Sequence, residues 1–88
     1  MFYAYVLENA QGILYKGSTD NLEKRINQHN SNNGFASFTA HKGPWKLVYF
    51  EEFNTRKEAE KREKYFKSGG GRRFLKVEIE SKYNNKPE

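Results

Sequence analysis

Eighty-eight residues without a cysteine allow one domain and one small core, with neither disulfides nor a thiolate metal site to support it. Seven Phe, six Tyr and one Trp must supply much of the buried surface. Sixteen Lys and Arg against eleven Asp and Glu leave a formal charge of +5, and no run approaches the ~18 apolar residues of a membrane-spanning helix.

The first twelve residues, MFYAYVLENAQG, have no basic n-region and no long apolar stretch, so they do not read as a signal peptide. A cytoplasmic protein is the expectation. Phe2 to Leu7 (FYAYVL) is aromatic and β-favouring on both faces, as in a strand covered on both sides. Asn9 to Gly12 reads as a turn, and Ile13 to Gly17 as a second, antiparallel strand. Asp20 with Glu23 has the spacing of a helix start, and the helix should run to about Asn30. Leu22, Ile26 and His29 form one stripe of it, flanked by Arg25.

Ser31 to Gly43 reads as a loop. Pro44 precedes a third strand, Trp45 to Phe53. Thr55 with Glu58 forms a capping box that opens a helix from Arg56 to Lys67, and the glycines 69 to 71 should end it. Arg72 to about Glu80 reads as a third, shorter helix. Residues 1–80 thus make one domain, and 81–88 a polar, frayed tail. The order predicts an α+β fold: a three-stranded, mainly antiparallel sheet flanked by three helices (β-β-α-β-α-α).

The charge is concentrated. Lys and Arg fill nine of the 21 positions from Arg56 to Lys76, against three acids. Such a patch suits a polyanion, most simply nucleic acid; a solvated helix face gives the same composition.

Ala59, Glu63 and Phe66 fall on one helical stripe, so Glu63 faces inward. An inward carboxylate is costly without a partner, either a charge such as Arg25 or a metal. Taken singly, His29 fits a helix end and Tyr3 and Tyr15 fit a sheet. Together, Tyr3, Tyr15, Arg25, His29 and Glu63 lie on faces that would meet. The set suits phosphodiester hydrolysis. Glu63 would hold one Mg²⁺ through hard oxygen ligands, and Arg25 would meet the phosphate. A tyrosine, with an ordinary pKa of ~10, would take the proton from water with help from the surrounding charge. His29 would assist or bind phosphate.

At these residues the sequence resembles the GIY-YIG nuclease superfamily. Met1-Phe2-Tyr3 stands for the first motif and Tyr15-Lys16-Gly17 for the second. Thr19, Asn21-Leu22, Arg25 and His29-Asn30 follow, with the arginine ten residues after the second tyrosine. Pro44 to Tyr49, Glu58-Ala59, Arg62 to Tyr65 and Lys67-Ser68-Gly69 are similar to small, stand-alone bacterial members related to the N-terminal nuclease domain of UvrC. The resemblance covers Phe2 to Lys76. It implies a three-stranded sheet with helices and DNA cleavage using a single Mg²⁺ or Mn²⁺. It implies Tyr3 and Tyr15 as motif tyrosines, Tyr15 being favoured here as the base. Arg25 and His29 become the helix residues and Glu63 the metal ligand. Many members carry an asparagine near the C-terminal end; here that region reads Gly70-Gly71-Arg72-Arg73-Phe74. Ser18 stands where some relatives have lysine.

The expected function is a metal-dependent DNA endonuclease in repair or processing, of low sequence specificity or selective for DNA structure. Lys16, Lys42, Lys64, Lys67, Arg72, Arg73 and Lys76 are the expected backbone contacts, and a protein partner would supply specificity. The alternatives are a non-catalytic nucleic-acid-binding module and an interaction domain with a vestigial site.

Overall fold

The computed structural model describes residues 1–31 and 43–84, the side chains of 82–84 apart. Its elements run β1 (Phe2–Asn9), β2 (Leu14–Thr19), α1 (Leu22–His29), β3 (Trp45–Phe53), α2 (Arg56–Lys67) and α3 (Gly69–Asn84). The sheet order is β2-β1-β3, and both pairings are antiparallel. Expected and observed architecture therefore agree. Most of the loop expected from Ser31 to Gly43, with Lys42, and the last residues of the tail lie outside the described residues.

The central strand explains why FYAYVL has no polar face. Ala4 and Val6 point to one side, where they pack with Val48 of β3, Phe66 of α2, and Leu75 and Ile79 of α3. Tyr5 and Leu7 point to the other, where Trp45 joins them and Leu22 and Ile26 of α1 close over. Alternation along a strand sends successive side chains to opposite faces, so β1 feeds two cores. All four of these β1 residues are fully buried, each aliphatic one contributing roughly 1–3 kcal/mol.

The β1–β2 hairpin is held by local chemistry. Asn9 closes the hairpin: its Oδ1 accepts from the backbone N–H of Gln11 at 3.0 Å and of Ile13 at 2.9 Å. Gly12 takes a φ of 82°, a conformation that favours glycine. The strands run to Asn9 and Thr19, past the expected ends at Leu7 and Gly17, because the ladder continues from Glu8↔Leu14 to Tyr3↔Thr19.

Three helix boundaries differ from expectation or refine it. The N-cap of α1 is Asn21 and not Asp20: Asn21 Oδ1 accepts from Lys24 N–H at 3.0 Å, while Thr19 Oγ1 accepts from Asn21 N–H at 3.1 Å. Asp20 instead faces Arg56 across 3.9 Å. In α2, Thr55 caps as the sequence predicts, its Oγ1 accepting from Glu58 N–H at 3.2 Å. The third helix begins at Gly69, three residues before the expected Arg72, and continues to Asn84, into the stretch expected to be frayed. Ser68 ends α2 and opens α3, its Oγ accepting from Gly71 N–H at 3.1 Å. Gly71 turns so tightly over α2 that a Cβ there would collide with the Tyr65 carbonyl. The glycines end one helix by letting the next start against it.

Candidate active site

The site is built around Tyr5. In the β1–β2 ladder Tyr5 lies opposite Gly17, and Leu7 opposite Tyr15. Cross-strand partners share a face, so Tyr5 and Tyr15 both lie beneath α1. Gly17 makes room for the phenol: a Cβ there would stand 2.5 Å from the Tyr5 hydroxyl oxygen and 2.6 Å from Cζ. The hydroxyl lies 2.9 Å from Nε2 of His29. The Tyr15 and His29 rings are 4.7 Å apart, centre to centre, at 57°.

Helix α1 delivers His29 and Arg25. Its two half-buried anchors, Leu22 and Ile26, sit one turn apart on the side facing Tyr5, Leu7 and Trp45. Continuing that stripe seals the His29 imidazole, with 1% of its surface exposed. Just beyond, Asn30 brackets the start of β3, Oδ1 accepting from Trp45 N–H at 2.6 Å and Nδ2 donating to Trp45 carbonyl at 2.9 Å. Arg25 is oriented by donating from Nε to Gln28 Oε1 at 3.1 Å and from a terminal nitrogen to the Ser18 carbonyl at 3.2 Å.

Burial sets the electrostatics. It pushes Tyr5 up to about 12, with Tyr15 and Glu63 adding to the rise and the hydrogen-bonding Arg25 guanidinium opposing it. Burial, then the Arg25 charge, pushes His29 down to about 4. At neutral pH the pair is an uncharged phenol against an uncharged imidazole.

Glu63 comes from α2. Ala59 and Phe66 bury its inner stripe, and Glu63, between them, is half-buried. Its charge is felt by the Tyr5 hydroxyl. The ion pair with Arg25, one alternative for an inward carboxylate, is not what forms: Glu63 Oε2 accepts from Lys67 Nζ, one turn on, at 2.7 Å. Among the described residues no cluster of three or more His, Cys, Asp or Glu is poised for a metal. A lone carboxylate still fits one Mg²⁺ in donor chemistry, since that ion is commonly held by one or two carboxylates with water and substrate phosphate completing its shell.

Tyr15, Arg25 and His29 thus gather round one phenol, and it is not the expected one; Glu63, on α2, reaches it only through its charge. Tyr3 points to the same face but lies one register step outward, its ring edge-on to Phe50 at 6.0 Å. Tyr5 was missed, because Tyr3 and Tyr5 share a face and only the register tells which lies opposite Gly17. Counting back from the Asn9–Gly12 turn would have found it. Of the expected backbone contacts, Lys64, Lys67, Arg72, Arg73 and Lys76 are exposed and Lys16 is half-buried beside Tyr15; Lys42 lies outside the described residues.

Fold and cluster together define a class, a small α+β domain with tyrosine, arginine and histidine converging beside its central strand and a half-buried glutamate on the helix α2. The chain belongs to the GIY-YIG family: the model described as the GIY-YIG catalytic domain matches residues 1–76. A UPF0213 protein of Clostridium perfringens is 51% identical over 67 residues, covering 76% of this chain and 71% of its own. One from Streptococcus agalactiae is 45% identical over 65 residues, covering 74% and 73%. The solution NMR structure of a UPF0213 protein from Bacillus halodurans superposes with a TM-score of 0.50 at 35% identity, over 85% of this chain and 82% of that one. Membership makes this a nuclease-family domain. Among the described residues no helix is long and apolar enough to cross a membrane.

Proposed function

We propose that this domain is a divalent-metal-dependent DNA endonuclease, of low sequence specificity or selective for DNA structure, working in repair or processing. The observation that carries the reading is the neutral, sealed His29 imidazole, 2.9 Å from one tyrosine hydroxyl and tilted against a second tyrosine ring. His29, held down to about 4, stays uncharged near neutral pH, so it takes part as a neutral hydrogen-bonding group and not as the proton acceptor. Tyr15, the half-exposed tyrosine of the pair, takes the proton from the attacking water once its own has gone to solvent, with the neutral His29 ring packed beside it. Tyr5, bonded to Nε2, fixes the ring. The Arg25 guanidinium, held by Ser18 and Gln28, meets the phosphate and offsets the charge that grows on it. Glu63 would hold one Mg²⁺ or Mn²⁺, which when bound supplies positive charge to the phosphate and the leaving oxygen. The exposed basic face of α2 and α3 grips the DNA backbone, so binding weakens steeply with salt. Specificity would come from a protein partner.

A second reading, a nucleic-acid-binding module without catalysis, is favoured by one observation: Lys67 already occupies Glu63. Supercoiled plasmid, single strands and branched DNA, incubated with Mg²⁺, Mn²⁺ or EDTA, separate the two. Metal-dependent nicking that Tyr15→Phe abolishes supports the nuclease. Binding without nicking on every substrate supports the module.

A further inference from the structure

Lys67 is the point where the acid and the basic face meet. It donates to Glu63 Oε2 at 2.7 Å, yet it also lines a cleft of about 260 Å³ with Leu14, Tyr15 and Lys16. That cleft opens beside the ring of Tyr15. Lys16 stands on its wall with its pKa lowered, first by burial and then by the charges of Arg72 and Lys67. Two cations, from β2 and α2, therefore line one notch, with Arg72 of α3 near enough for its charge to be felt by Lys16, while the Glu63 carboxylate draws Lys67 aside. The Lys67 side chain keeps 55% of its surface exposed and the Glu63 side chain 22%. The lysine is free to swing on its four-carbon stem, whereas the glutamate is held on the inner stripe of α2.

We propose that Lys67 is a built-in competitor for the Glu63 carboxylate: it holds that carboxylate until a divalent cation displaces it, and once released it joins Lys16 and Arg72 to bind a backbone phosphate of the DNA strand lying beside Tyr15. The inference rests on the reading of Glu63 as the metal ligand. The exchange is cheap, because a partly exposed i,i+4 pair is a weak one. Its consequence is a coupling: cation binding makes the notch more positive and primes it for the strand. In the free domain the same ion pair keeps the inward carboxylate from being left without a partner.

Two measurements test it, neither of which requires cleavage. The first is Mn²⁺ affinity without DNA, read as loss of the free-ion EPR signal. Lys67→Met should bind Mn²⁺ about two-fold tighter than wild type, the scale of an i,i+4 pair, since an ammonium at ion-pair distance no longer competes; Lys67→Arg should bind like wild type, and Glu63→Gln should lose the site. Equal affinity for wild type and Lys67→Met, at a site that Glu63→Gln abolishes, would overturn the competition while leaving the metal ligand in place. Binding unchanged in Glu63→Gln would instead overturn the assignment of Glu63. The second measurement is affinity for a fluorescent single-stranded oligonucleotide in EDTA, by anisotropy. Glu63→Gln should bind about two-fold tighter than wild type, the scale of an i,i+4 pair, and that gain should shrink in a Lys67→Met background. The same gain in both backgrounds would mean that the carboxylate merely repels DNA, and Lys67 would have no part in it.

Discussion

The hydroxyl of Tyr5 meets Nε2 of His29 at 2.9 Å, with 0% and 1% of the two residues exposed. One contact thus joins the middle of the central strand to the last residue of α1. A buried polar group stripped of its partner costs more than the bond itself contributes. Tyr5→Phe keeps the ring and leaves the imidazole wanting, so we expect a loss of about 1–3 kcal/mol in urea denaturation. Combining it with His29→Leu should cost less than the sum of the two changes, because the second removes the group that the first orphaned.

Gly17 is where the phenol is admitted. Gly17→Ala sets a methyl 2.5 Å from the hydroxyl oxygen and 2.6 Å from Cζ. We expect it to destabilise by about 1–3 kcal/mol, as overpacking does. A Tyr5→Phe background should relieve only part of that, since Cζ remains. Full relief, or no initial loss, would show that the ring moves freely, against the account given of the site.

Stability should fall in mild acid through His29. Burial and Arg25 hold its pKa at about 4, against the ordinary 6.5 of the unfolded chain. Between those values the unfolded chain binds the proton and the fold does not, so stability rises with pH across the window. The contribution is complete above 6.5, is lost as pH falls to 4, and is at most about 3 kcal/mol. Glu51 acts in stronger acid: burial raises its carboxyl, but hydrogen bonds from Arg62 and Tyr49 outweigh that and hold it below its usual range. Urea midpoints from pH 7 to pH 4 check the first effect, and His29→Gln should flatten the slope between 6.5 and 4.

Two of the three glycines should respond unequally. Gly71→Ala would drive a methyl into the Tyr65 carbonyl, and we expect a loss of about 3 kcal/mol or more. Gly69, whose added Cβ would meet nothing nearer than the end of Arg73 at 4.0 Å, lies in the same first turn. Gly69→Ala should be neutral or stabilise by up to about 1 kcal/mol through the unfolded chain. Thermal melts of the two variants test this directly.

These residues also mark how far the sequence could be read. Helix α2 was legible to its ends, because Thr55 and Glu58 form a local signal and Lys67 precedes the glycines. The sheet was legible because FYAYVL, ILYKG and WKLVYFEEF carry β-forming residues between turn residues. The placing of Arg25 and His29 along one side of α1, and of Glu63 on the inner stripe of α2, followed from helical spacing. What escaped depended on non-local contact. Tyr5 and not Tyr3 enters the cluster, because of the register against Gly17. The run of glycines is a helical turn and not an interruption, because α3 starts against the carbonyl of Tyr65. Lys67 and not Arg25 meets Glu63, because the i,i+4 partner is within reach on the same helix, while Arg25 is held by Ser18 and Gln28.

The most direct test of the central claim is the rate at which the purified domain nicks supercoiled plasmid in Mg²⁺, measured beside Glu63→Gln at equal concentration. We predict nicking that EDTA stops and that Glu63→Gln slows by at least about 100-fold. Nicking by Glu63→Gln at the wild-type rate, or none by the wild type with any divalent metal, would contradict the account.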